Sequence, residues 1–379
     1  MSKPIYLDYN ATTPIDPTVV EAMEPYLREH FGNPSSDHAF GYRARMAVET
    51  AREQLANLLG AEPDEVIFTS SGSEANNLAI KGVAYALRER GNHIITSVVE
   101  HPAVLGPLKF LERQGYRVTR LPVDSDGCVD PDQAAAAITE QTILISVMHA
   151  NNEVGTIQPI HTLAEIAHAR GILFHSDAAQ SIGKLPVDAG KLGADLLTVV
   201  GHKFYAPKGV GALIVKRGTP LEPLIHGAGH ESHLRAGTEN VPYLVGLGRA
   251  AALAEERLPD YHERIALLRD ALHRGILEHL PSAVLNGHPS ERLPNTLNLS
   301  FPGVNAGALL AAIRDRVACS TGSACHAGQA APSSVLLAMG RDENLASSAL
   351  RLSLGVPTTA HQIEQVVEEI TRAVAAQVH

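Results

Sequence analysis

Two stretches decide the fold: Ile172-Leu-Phe-His-Ser-Asp177-Ala-Ala-Gln180-Ser, and Asp195-Leu-Leu-Thr-Val-Val-Gly-His-Lys203-Phe-Tyr-Ala-Pro-Lys-Gly209. Each holds a short apolar run that gives way to polar residues. Such runs, bounded by Gly, Asp and Pro, read as strands buried on both faces, the mark of a parallel sheet. The pattern recurs outward at 66–69, 94–97, 142–148 and 211–215, with helical periodicity at 75–90 and 163–170. Strand alternating with helix predicts an α/β domain with a mostly parallel sheet covered on both faces. Ligands in such folds bind in the crevice at the carboxyl ends of the strands. Lys203, Asp177, Asn152 and Ser73 all follow strand-like runs, so one crevice can collect them.

Beyond residue 244 the character changes. A long helical stretch at 250–280 is followed by strand-like runs at 296–301 and 350–354, and by an amphipathic helix at 359–378. A Gly/Ser/Ala-rich segment surrounds Cys325. This part reads as a smaller α+β domain.

The chain has 379 residues, 45% hydrophobic and 19% charged, enough apolar content for a large packed core. A net charge of -10 argues against nucleic acid and anionic membranes as partners. Neither an N-terminal signal core nor an apolar run of spanning length is present, so a cytoplasmic location is expected. Three cysteines, Cys128, Cys319 and Cys325, form no disulfide framework and no zinc-site spacing.

Several positions carry chemistry, each with a plainer alternative. Lys203 after an apolar strand must find a counter-charge or lose its proton, and a desolvated amine forms a Schiff base with an aldehyde. The alternative is a solvated loop lysine. Asp177 ends a buried strand, where a carboxylate serves either a ligand or a helix cap. Lysine for an aldehyde and aspartate for a ring nitrogen are what pyridoxal phosphate asks of a protein. Thr69-Ser-Ser-Gly72-Ser73-Glu74 is a strand-to-helix turn that can bind an anion at the helix N-terminus, or simply cap the helix through Ser71 and Glu74. His101 can stack on a flat ring and shuttle protons, or be an exposed loop residue. Asn152 can donate to a cofactor oxygen, or sit in a turn. Arg351 interrupts an apolar strand and either captures a carboxylate or lies on the wet face. Cys325 has small neighbours, reads as an exposed loop thiol and is a candidate nucleophile; the alternative is an incidental free thiol.

Taken in order, the phosphate turn, His101, Asn-Asn-Glu153, Asp177-Ala-Ala-Gln180, Gly-His-Lys203 and Ser320-Thr-Gly-Ser-Ala-Cys325 resemble the NifS/IscS-like cysteine desulfurases. These are class V members of the fold-type I pyridoxal phosphate enzymes. The resemblance runs from Tyr6-Leu-Asp-Tyr-Asn-Ala-Thr-Thr-Pro14 to Arg351-Leu-Ser-Leu-Gly355. It implies a large, mostly parallel seven-stranded sheet domain over 14–257. A small α+β domain over 1–13 and 258–379 would carry the cysteine loop at about 319–333. It implies that Lys203 carries the cofactor, Asp177 pairs with its ring nitrogen, and Gln180 and Asn152 bond the phenolic-oxygen side. His101 would stack on the ring, and Gly72, Ser73 and His202 would hold the phosphate. Thr238 would reach the neighbouring subunit's phosphate, making a homodimer with shared sites. Arg351 and Asn152 would fix the carboxylate of L-cysteine, and Cys325 would accept the sulfur as a persulfide, leaving L-alanine. The implied partner is a sulfur-acceptor or iron–sulfur scaffold protein. No resident metal is implied, although Cys325 is a possible transient iron–sulfur ligand.

Two features depart from that pattern. Most relatives have a serine three residues before the lysine, where this chain has Val200. His326 after Cys325, and Gly229-His-Glu-Ser-His, resemble the selenocysteine lyase branch. Selenocysteine lyase, a class V aminotransferase and a non-catalytic sulfur-transfer scaffold therefore stand as alternatives.

Overall fold

A computed structural model describes residues 3–321 and 332–378. Cys325 and His326 lie outside the described residues. The chain opens with a two-residue strand, β1 (Ile5–Tyr6), and then builds the main sheet from β2 (Val66–Thr69), β3 (His93–Ser97), β4 (Arg117–Leu121), β5 (Thr142–Ser146), β6 (Leu173–Asp177), β7 (Leu196–Val200) and β8 (Gly211–Val215). The seven strands lie in the order β2-β8-β7-β6-β5-β3-β4. Only β8 runs antiparallel to its neighbours.

The sheet is buried on both faces, as its apolar runs require. Strand side chains alternate in direction, so neighbours in sequence enter different cores. Leu197, Val199, Ala212 and Ile214 join one apolar cluster with the helices Ala39–Leu59 and Val241–His279. Leu196 and Leu213 join another with the helices Gly72–Ala86 and Pro102–Glu112. The strand Arg117–Leu121 has no counterpart among the apolar runs. It lies at the sheet edge, where Arg117 is exposed and only Leu121 is buried, so an edge position tolerates its charges.

The second part contains a three-stranded antiparallel sheet of β9 (Val284–Asn286), β10 (Thr296–Ser300) and β12 (Ala349–Ser353), in the order β12-β10-β9; β11 (Val317–Ala318) pairs with β1. The 39-residue helix Val241–His279 passes from one core to another: Leu244, Leu247 and Leu253 pack in the first cluster, and Tyr261, Ile265, Leu272 and Ile276 in a separate one. No helix among the described residues is long and apolar enough to cross a membrane.

Candidate active site

Because β2, β3, β5, β6 and β7 run in the same direction, their carboxyl ends meet at one edge of the sheet. Ser71 to Ser73, His101, Asn152, Asp177 to Gln180, and Lys203 all lie in the segments leaving that edge. The Lys203 amine donates to the carbonyls of Asn10 at 2.7 Å and Ala11 at 2.8 Å. Desolvation lowers its pKa to about 8; repulsion from Arg351 adds to the shift, while Asp177 and Asp8 oppose it. With that value, roughly a tenth of the amine is neutral at pH 7. Backbone strain follows directly, since Tyr205 has φ 72°, in the left-handed region that non-glycine residues avoid. Thr13 Oγ1 accepts from the Tyr205 N–H at 2.8 Å, and the Tyr205 hydroxyl accepts from Val356 N at 2.7 Å. These bonds hold the conformation against a cost of about 1–2 kcal/mol.

Asp177 is held on both oxygens. Asn76 Nδ2 donates to Oδ2 at 2.7 Å, and Ala179 N donates to Oδ1 at 3.0 Å. Asn76 is fixed in turn by Thr198, whose hydroxyl donates to its Oδ1 at 2.8 Å. The Thr198 proton is thus used, so His175 Nε2 must carry the hydrogen in its 3.1 Å bond to Thr198 Oγ1. His175 Nδ1 then accepts from Ser146 Oγ at 2.8 Å. This neutral tautomer agrees with a His175 pKa pushed down to about 4 by burial. Sequence reasoning missed Asn76 and Thr198. The one available signal was a polar residue on the buried face of an otherwise apolar helix.

His101 caps the helix Pro102–Glu112, its Nδ1 accepting from Ala103 N at 3.1 Å. A backbone N–H can only donate, so Nδ1 bears no proton and the neutral ring carries its hydrogen on Nε2. Desolvation lowers the His101 pKa; Lys203 reinforces the shift and Asp177 opposes it. His101, Lys203 and Asp177 therefore act on one another electrostatically.

At the helix Gly72–Ala86, Ser71 Oγ accepts from Glu74 N at 3.2 Å, giving half of a capping box. The Glu74 carboxylate turns elsewhere, to Ser70 N at 2.8 Å, to the Ser70 hydroxyl and to Arg235 Nε at 2.8 Å. Ser73 is exposed and Gly72 is buried. A Cβ on Gly72 would lie 2.3 Å from Val200 Cγ2, so Val200 fills the space beneath this helix start. His202 Nδ1 lies 3.1 Å from Thr12 Oγ1, and its pKa is pushed down to about 4 by desolvation, then by Lys203 and Lys208.

Arg351 is 5% exposed, which removes the wet-face alternative. Its NH2 nitrogen donates to Asp8 Oδ1 at 2.7 Å and its NH1 nitrogen to the Asn152 carbonyl at 3.1 Å. Its Nε is buried without a partner among the described residues. Asn152 contributes its carbonyl here, accepting also from Asn10 Nδ2 at 3.2 Å. Gln180 is buried, and its Nε2 donates to the Asn10 carbonyl at 3.0 Å. Thr238 is exposed, on the segment leading into the helix Val241–His279. Two ties anchor that segment: the Arg235–Glu74 pair, and Glu231, which accepts from Arg52 NH2 at 2.9 Å and Phe68 N at 2.7 Å.

The described residues on either side of 322–331 are tied beside this site. Ser320 N donates to the Arg351 carbonyl at 3.2 Å, and Ser333 Oγ donates to Glu153 Oε2 at 2.5 Å. Burial pushes the Cys319 thiol up to about 12, with Asp8 adding and Arg351 opposing. Burial also raises the Cys128 thiol. Neither is a thiolate at neutral pH. Among the described residues, no group of three or more His, Cys, Asp and Glu is placed to hold a metal ion.

The donor set fits a phosphorylated pyridine aldehyde. It offers a partly desolvated amine, a carboxylate fixed on both oxygens, and a helix N-terminus for an anion. Residues 5–366 match the class-V aminotransferase family model. The chain is 49% identical over 375 residues to the cysteine desulfurase IscS of Dictyoglomus turgidum, covering 99% of this chain and 95% of that protein. Among solved structures it resembles a NifS-like protein at 38% identity and a TM-score of 0.93, over 98% of this chain and 100% of that one. It also resembles SspA in complex with cysteine, at 39% identity and a TM-score of 0.81, over 93% and 99% of the two chains. Proteins of this kind generally depend on pyridoxal phosphate. The chain belongs to the class-V aminotransferase family.

Proposed function

We propose that this chain is a pyridoxal phosphate-dependent cysteine desulfurase, converting L-cysteine to L-alanine and leaving the sulfur as a persulfide on Cys325. The observation that carries the reading is Lys203: a partly desolvated amine with a pKa near 8, among Asp177, His101 and Arg351, in a chain 49% identical to a cysteine desulfurase.

When bound, pyridoxal phosphate supplies an electron sink that acidifies the substrate Cα–H. Lys203 would be the covalent anchor for the cofactor, and its amine the base for the substrate Cα proton. Its low pKa leaves a neutral fraction for both tasks. Asp177, rigid through Asn76 and Ala179, would pair with the ring nitrogen. Gln180 and Asn152 would hold the phenolic-oxygen side, and His101 would stack on the ring with its Nε2 hydrogen available for proton transfer. Gly72, Ser73 and His202 would hold the phosphate. Arg351, with Asn152, receives the substrate carboxylate; its guanidinium is already oriented by Asp8 and the Asn152 carbonyl. The Cys325 thiolate attacks the substrate sulfur: an S–S bond forms, the C–S bond breaks, and its electron pair with protons completes the methyl group of alanine. The raised thiol pKa values of Cys319 and Cys128 disfavour either of them as the acceptor.

A homodimer is part of this reading, with Thr238 reaching the partner's phosphate. Its support is the exposed, firmly anchored Thr238 segment and the exposed aromatic residues Phe31, Phe40 and Tyr42. The division into 14–257, and 1–13 with 258–379, is supported by the change of core along the helix Val241–His279. A cytoplasmic setting suits an acceptor thiol that must stay reduced, and a sulfur-acceptor or iron–sulfur scaffold protein would take the persulfide onward. The similarity to a cysteine desulfurase, and to a protein solved with cysteine, favours cysteine over selenocysteine as substrate.

The test is alanine formation from L-cysteine and from L-selenocysteine by the wild type and Cys325→Ala. Cysteine turnover should be abolished in Cys325→Ala while the bound cofactor keeps its colour. Undiminished cysteine turnover in that variant would refute the persulfide step.

A further inference from the structure

Lys184 is 3% exposed, yet no carboxylate among the described residues forms an ion pair with it. Its Nζ donates to Gln180 Oε1 at 2.8 Å and to Asn10 Oδ1 at 3.3 Å. A buried amine facing two neutral amide oxygens costs free energy that an apolar side chain of similar volume would not. Local rules are broken in this way mostly at functional sites.

The consequence lies in the Gln180 amide. Its oxygen and nitrogen ends are nearly the same size, so the pocket alone does not fix which way it faces. An amine with at least two N–H donors, whether charged or neutral, selects the oxygen. With Oε1 bound to Lys184, Nε2 must point the other way, and it donates to the Asn10 carbonyl at 3.0 Å. That same carbonyl accepts from Lys203 Nζ at 2.7 Å. A reversed amide would set two carbonyl oxygens against each other at Asn10 and turn its NH2 group toward an amine. Asn10 is fixed independently, its Oδ1 accepting from Asn295 Nδ2 at 3.0 Å and its Nδ2 donating to Thr296 Oγ1 at 2.8 Å.

We propose that Lys184 is a positioning residue that locks the Gln180 amide with its NH2 group toward Lys203 and the ring oxygen of the cofactor. This rests on the reading of Gln180 as a cofactor-holding residue. The test is titration of the apoprotein with pyridoxal phosphate, following visible absorbance, for the wild type, Lys184→Met, Gln180→Ala and the double variant. Lys184→Met should weaken binding about tenfold, the loss of one buried hydrogen bond. In the Gln180→Ala background it should change affinity less than about twofold, because its target is gone. Wild-type affinity in Lys184→Met, or equal losses in both backgrounds, would overturn the proposal. Should Lys184→Met not fold, Gln180→Glu carries the test. It keeps an oxygen for Lys184 but loses the donor, so it should also bind about tenfold more weakly; wild-type affinity there overturns the assignment. A wild-type apoprotein that takes up no pyridoxal phosphate would defeat the cofactor reading and this inference together.

Discussion

At the residue scale, burial sets the ionisation states that matter. With its pKa lowered from 10.5 to about 8, the neutral Lys203 amine grows as pH rises through 8. The rate at which apoprotein captures pyridoxal phosphate should therefore climb between pH 7 and 9 with a midpoint near 8. A midpoint near 10.5 would show that the amine is not desolvated. Glu100 moves the other way, burial pushing its carboxyl up to about 8 against hydrogen bonds from Met148 and Ser97. The native state then binds that proton more tightly than the unfolded chain does, so its contribution to stability falls as pH rises toward 8 and levels off above. His149 and His175, lowered to about 4, complicate the profile only below about 6.5. Glu100→Gln keeps the bonds from Ser97 and Met148, and should gain on the wild type between pH 6.5 and 8 by up to about 1.4 kcal/mol per pH unit. Urea unfolding across that range measures the difference, and parallel profiles would contradict the assignment. Lys203, Asp177 and His101, which the structure brings to one sheet edge, stood out in the sequence because each follows an apolar strand. Lys184 and Asn10 were not. Asn10 meets Thr296, 286 positions away, and nothing local in Tyr9-Asn10-Ala11 announces it.

At the scale of elements, the segment 8–13 is the part that sequence reasoning undervalued. Its groups bind Arg351, Lys203, His202 and Tyr205, so a stretch with little regular structure aligns the ends of β7 and β12. The strands were legible for a simple reason: Leu196–Val200 and Gly211–Val215 are buried on both faces, and continuous apolar runs leave no ambiguity. The edge strand Arg117–Leu121 was hidden because only Leu121 is fully buried and its other side chains stay at least partly exposed, so no continuous apolar run marks it. Contact between β7 and the helix start at Gly72 gives a further expectation. Gly72→Ala places a Cβ 2.3 Å from a methyl of Val200, whose β-branched side chain cannot easily turn aside. Thermal denaturation should show a loss of about 1–3 kcal/mol, largely recovered when Val200→Ser is added. Val200→Ser alone should tighten pyridoxal phosphate binding by supplying a hydroxyl near the phosphate turn. Unchanged or weaker binding would argue against a phosphate at Gly72.

At the scale of the molecule, the helix Val241–His279 joins two cores, and the site lies where segments from both meet: Lys203 and Asp177 from one side, Asp8 and Arg351 from the other. Phe31 is 78% exposed, and Phe40 and Tyr42 are more than half exposed, on a face with a groove lined by Tyr26, Tyr42, Arg43 and Met46. Such a patch is costly in an isolated chain. Sedimentation should give a dimer, and Phe31→Asp with Tyr42→Glu should shift it toward monomer and weaken cofactor retention, since Thr238 would no longer reach its neighbour. A monomeric double variant that retains its cofactor fully would separate assembly from the site. The measurement that bears most directly on the central claim is simpler. Protein loaded with pyridoxal phosphate is reduced with borohydride, digested, and the lysine carrying the pyridoxyl group is identified by mass spectrometry. The label is predicted on Lys203 alone; a label on Lys184 or Lys208, or none, would contradict the account.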